Sequence, residues 1–103
     1  MVNMPDIVLF ARIIAKPGSG EEMAEALTGL VAASEEEPGL RVYAAHRQDN
    51  DPETFWFYEV YDDEDALSVH ARGPRMTEAR GKVREFGAAA PEVFRVTPLA
   101  QKE

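Results

Sequence analysis

The chain is 103 residues long, carries 11 basic and 19 acidic residues for a net charge of −8, and has no cysteine. Such a field repels phosphate backbones and anionic lipid, which argues against nucleic acid and membrane surfaces as partners. Disulfides, thiolate chemistry and cysteine metal sites are excluded outright.

The two histidines, His46 and His70, lie far apart in sequence, and no ligand spacing suggests a metal site. Met1 to Asp6 lacks the charged and long apolar regions of a signal peptide. No apolar run approaches the roughly 20 residues of a membrane span. The expectation is a single domain over residues 1–103, cytoplasmic, with a modest core that burial by a partner would help.

Residues Ile7 to Lys16 form a β-branched apolar run ended by Pro17-Gly18, which predicts a first strand. Ser19 followed by Glu22 fits a capping box, and Met23, Leu27, Leu30, Val31 and Ser34 make one helical stripe behind it. Gly29 weakens that helix by about 1 kcal/mol relative to alanine without forbidding it. Pro38-Gly39 stops it; the acidic cluster Glu35-Glu36-Glu37 reads as a solvated helix end. Leu40 to Arg47 is the second strand, and Asp49-Asn50-Asp51-Pro52 the loop after it. Phe55 to Tyr61 is the third and strongest, with five aromatics in seven residues.

Asp62 or Asp63 then caps a helix in which Ala66, Leu67, His70 and Ala71 share a face. Pro74 suits the first turn of another helix, whose inward stripe is Met76, Ala79 or Arg80, Val83 and Phe86. Val93 to Thr97 is the fourth strand. The order β-α-β-β-α-(α)-β is the split βαβ pattern of an α+β ferredoxin-like fold with an antiparallel sheet.

Helices cover one face of such a sheet. Yet in strands one and three both alternating sets are apolar or aromatic: Phe55, Phe57, Glu59 and Tyr61 against Trp56, Tyr58 and Val60. The set away from the helices needs a cover, most economically a second copy of the chain. Trp56 and Tyr58 are therefore assigned to dimer packing, and His46 to an exposed position. The other set, with Leu9 and Ala11 of strand one, faces the helices. There His70 is either a satisfied core histidine or the one titratable group of a small cavity. Glu59, mid-strand, needs a partner, and Arg12 or Arg41 would serve a purely structural role.

With this pattern laid out, the chain resembles the antibiotic biosynthesis monooxygenase family of dimeric α+β barrels. The matching residues are Lys16-Pro17-Gly18, Glu37-Pro38-Gly39, Asp51-Pro52, Tyr58-Glu59-Val60-Tyr61, the histidine of Ala66-Leu67-Ser68-Val69-His70, and Gly73-Pro74-Arg75-Met76, in order from about Ile7 to Val96. Two positions depart from the pattern: Tyr61 stands where relatives often carry tryptophan, and Arg75 where they often carry a second histidine.

The family's haem-degrading branch uses an asparagine, a tryptophan and a histidine ligand, at positions that hold Ala11, Tyr61 and Arg80 here. Arginine stays protonated and has no lone pair for iron, so the resemblance does not extend to that chemistry. A second branch oxidises phenols or quinols with O₂ and no cofactor. What that resemblance implies is a small aromatic substrate in a pocket lined by Phe57, Leu9 and Ala11, with Arg75 near the mouth. His70 would be the base or anion stabiliser, Glu59 would orient it, and Tyr61 would bond a quinone oxygen. Two competing expectations are a proton-transfer isomerase acting on a small carbonyl compound and a non-catalytic small-molecule-binding dimer.

Overall fold

The computed structural model describes residues 6–102, so the expectation that Met1 to Asp6 is not a signal peptide falls, apart from Asp6, outside the described residues. Four strands and three helices follow in the order β1 (Ile7–Ile14), α1 (Gly20–Ala33), β2 (Leu40–Arg47), β3 (Thr54–Tyr61), α2 (Glu64–Arg72), α3 (Pro74–Phe86) and β4 (Glu92–Val96). The sheet order is β2-β3-β1-β4 and every neighbouring pair is antiparallel. The α+β ferredoxin-like fold is therefore present as the sequence predicts.

Strand β1 stops two residues before Lys16, because Ala15 leaves the ladder to bridge Gly87 and Lys16 donates to the Phe86 carbonyl. Gly18 makes the turn into α1 with a φ of 83°, a conformation that costs glycine nothing. Ser19 does sit at the cap of α1, but its side chain makes no capping bond. Its ψ of 19° departs from the extended geometry that aims a cap oxygen at the helix amides. The predicted capping box is thus not formed. Asp63 is the opposite case: it is extended, and its Oδ1 accepts from the Ala66 amide at 2.8 Å.

The core lies between the sheet and α1–α3. Ala11, Ile13, Phe55 and Phe57 of the sheet pack against Met23, Leu27 and Leu30 of α1 and Met76 and Val83 of α3. A smaller cluster, Ile7, Leu9 and Tyr61, packs against Leu40, Ala66 and Leu67. On the far face β1, β3 and β4 place Phe10 across from Tyr58 on one side and Phe94 on the other. Phe10, Ile14, Phe94 and Val96 are exposed there, and the Phe10 and Tyr58 rings lie 5.3 Å apart. His46 is exposed as expected, with Nδ1 3.2 Å from the Trp56 carbonyl. Neither arginine proposed for Glu59 reaches it. Arg12 pairs with Glu92 and Arg41 with Asp6 and Asp62, because in each case the acid lies beside the arginine at the sheet surface.

Candidate active site

The two core clusters meet around a cavity of about 710 Å³, within the usual range for small-molecule sites. Leu9, Ala11 and Phe57 form part of its sheet wall, Leu27, Leu30 and Val83 part of its helix wall, and Glu59, Tyr61 and His70 face it together. Arg75 does not join them. It is exposed and lines a separate groove between α1 and α3, because it sits on the side of α3 opposite the cavity.

His70 is 5% exposed near the end of α2, with its ring edge-on to Tyr43 at 4.8 Å and to Tyr61 at 5.5 Å. Its orienting carboxylate is not Glu59. Nδ1 lies 2.9 Å from Oε1 of Glu37, whose side chain is only 17% exposed. Glu37 is thus no solvated helix end. The chain after α1 turns so that Pro38 and Gly39 run beneath α2, and a Cβ on Gly39 would stand 2.5 Å from the Ala66 Cβ. That close approach carries Glu37 to the imidazole, a tertiary event with no signal in the local acidic run. Retrospectively, the Glu-Pro-Gly triplet was the available clue.

An ionised carboxylate only accepts hydrogen bonds, so the Nδ1–H of neutral His70 donates to Glu37 and the lone pair falls on Nε2. Among the described residues Nε2 has no hydrogen-bond partner. Burial holds the His70 pKa below its ordinary 6.5, although the Glu37 carboxylate opposes that shift. A neutral ring with an open Nε2 is the form a general base requires.

Glu59 instead accepts from the Tyr61 hydroxyl at 2.6 Å. Burial raises the Glu59 pKa, with the Tyr61 bond pulling the other way, and burial also pushes the Tyr61 phenol upward. Tyr61 is therefore a protonated phenol whose hydrogen is committed to Glu59. Tyr43, missed from the sequence, stacks on Phe57 with centroids 4.5 Å apart and also lines the cavity. Its phenol is likewise raised by burial, so its O–H is the available donor beside His70. Arg80, read from the sequence only as part of a helical stripe, donates from Nη2 to the His70 carbonyl at 3.2 Å and from Nη1 to that of Ala71 at 3.0 Å. It satisfies the carbonyl end of α2 and fixes the backbone that carries His70. Among the described residues no group of three or more histidine or acidic side chains is placed to hold a metal.

A four-stranded antiparallel sheet with three helices on one face defines the α+β ferredoxin-like class, and here it encloses an apolar cavity with a buried histidine. The sequence matches the family Antibiotic biosynthesis monooxygenase over residues 6–92. This chain belongs to that family. Among solved structures it is similar to PA3566 from Pseudomonas aeruginosa, at 26% identity and a TM-score of 0.84 over 92% of this chain and 95% of that one. A Caulobacter crescentus CB15 protein, itself provisionally assigned as an antibiotic biosynthesis monooxygenase, shares 23% identity over 92% and 91% of the two chains, with a TM-score of 0.84. Rv0793 from Mycobacterium tuberculosis shares 20% identity over 95% and 99%, also with a TM-score of 0.84. No curated protein matches the sequence.

Proposed function

We propose that this protein is a cofactor-independent monooxygenase that oxidises a phenol or quinol with O₂, using His70 as base, and that it works as a homodimer. The observation that carries the reading is the His70–Glu37 pair at 2.9 Å on the wall of an apolar cavity, with Nε2 left open. Family membership supports monooxygenase chemistry in general.

In this mechanism Nε2 takes the phenolic proton, and Glu37 stabilises the imidazolium as it forms. The substrate anion is electron-rich enough to reduce O₂ directly, and a ring carbon forms a bond to one oxygen atom. The imidazolium returns its proton to the distal oxygen, giving a ring hydroperoxide. His70, neutral again, removes the proton from that carbon as the O–O bond breaks and the new carbonyl forms. The departing hydroxide takes that proton and leaves as water. Phenol and O₂ thus become quinone and water, with all four electrons drawn from the ring. Tyr43 donates to the oxyanion in this scheme. Tyr61 and Glu59 hold the floor of the pocket, and the surrounding apolar side chains keep water away from the anion.

The test is O₂ uptake by chelator-treated protein against a panel of quinols and polycyclic phenols. Turnover that His70→Asn lowers by about 10²–10⁴-fold is the expected result. Uptake unchanged in that variant would remove His70 from the chemistry, and no uptake across the panel would remove the oxygenase reading.

A further inference from the structure

Helix α3 sorts its charges by face. Arg80 and Arg84, four residues apart and so on one side of the helix, both line the cavity. Glu78, Lys82 and Glu85 line the outer groove with Arg75. The cavity wall of a chain with net charge −8 therefore receives two arginines from α3 and no acid from it. Arg80 lies at the inner end, held by the His70 and Ala71 carbonyls, and its charge is felt by both Glu59 and His70. Arg84 is exposed and lines the cavity together with the uncharged Ala89-Ala90-Pro91 segment, its Nη2 turned back along α3 to within 3.9 Å of where a Cβ on Gly81 would stand. Among the described residues Arg84 has no carboxylate partner. One helical turn, about 6 Å, separates the two along α3. Apolar side chains, Leu27, Leu30 and Val83, fill the helix wall around them.

We infer that the cavity takes an aromatic ligand bearing a carboxylate, with Arg84 anchoring the carboxylate at the mouth and the ring reaching inward to His70. Arginine's planar fork matches a carboxylate bidentately, and the apolar walls suit a flat ring. The inference deepens the proposed function by specifying the substrate class, but it rests on the cavity as a binding site and not on oxygenation.

The experiment is anaerobic titration calorimetry with 6-hydroxy-2-naphthoate and its methyl ester, against wild type, R84Q and R84K. Because Arg84 is exposed, these variants should fold normally. The expected result is binding of the carboxylate about tenfold or more tighter than the ester, a preference that shrinks as salt is added. In R84Q the two affinities should converge to within about twofold with the ester's unchanged, and R84K should fall between. Equal affinities in wild type, a preference that survives R84Q, or no binding of either compound would overturn the inference. Carboxylate-selective binding without O₂ uptake would leave it standing while the oxygenase reading fails. Uptake with neutral phenols and no carboxylate preference would do the reverse.

Discussion

A carboxylate at Nδ1 does two things to an imidazole: it selects the tautomer and it lowers the cost of protonating the ring. Glu37→Gln removes the second effect and compromises the first, since an amide can donate to Nδ1 and move the proton to Nε2. On the proposed mechanism that variant loses about 10²–10⁴-fold in kcat, and it is less stable by about 1–3 kcal/mol. Loss of kcat without loss of fold, read by O₂ uptake beside a thermal melt, is the expected pattern; full activity would show that Glu37 only packs. The pH dependence follows from the same pair. Burial lowers the His70 pKa from 6.5, so on acidification the unfolded chain binds that proton before the folded one does. The stability this group contributes is complete above pH 6.5 and declines as pH falls from there through the lower folded value. An NMR titration of the His70 ring should show a midpoint below 6.5, and a lower one in Glu37→Gln, because the carboxylate was raising it. A midpoint at or above 6.5 would contradict the account. His70 and its inward placement were legible from helical spacing alone. Its partner was not, because Glu37 is 33 positions away and reaches the ring only through the fold.

Among the elements, the contact between the start of β2 and helix α2 builds the site. Gly39 has no room for a side chain against Ala66, and its carbonyl accepts from the Asp62 amide at 2.9 Å. Gly39→Ala should therefore push α2 outward, cost about 1–3 kcal/mol of stability, and loosen the His70–Glu37 bond. The matched control is Gly29→Ala, where a Cβ meets nothing within 4 Å and the helix should gain about 1 kcal/mol. Comparing melts and His70 titrations of the two variants tests this directly. If Gly39→Ala were as well tolerated as Gly29→Ala, the close approach would not be what positions the dyad. Element order and type were readable from period and turn chemistry. The ends were less so. Ser19 has the residue type of a capping box without the backbone angle, and Ala15 belongs by composition to a strand that the Gly87 bridge cuts short. Arg75 failed for a related reason: motif position placed it near the site, whereas the rotation of α3 turned it to the other groove and brought Arg80 and Arg84 in.

For the whole molecule, the sheet face opposite the helices carries Phe10, Ile14, Phe94 and Val96 as exposed apolar side chains. On the proposed homodimer this face is covered by its copy. The 11.4 kDa chain should then sediment at twice that mass at micromolar concentration, and Phe94→Asp should shift it toward monomer. A wild type that sediments as a monomer would refute the dimer. That both sheet faces are apolar could be read from strand alternation. A small cavity at His70 was one of the two readings of that histidine, but its size was not legible, since the volume depends on how far α3 stands from the sheet. The central claim concerns what happens in that cavity, and turnover under ¹⁸O₂ tests it most directly. The account predicts that chelator-treated protein places one labelled atom in the quinone and the other in water, with one O₂ consumed per substrate and no external reductant. Label absent from the product, or oxidation of quinol to quinone with hydrogen peroxide as the partner, would contradict it.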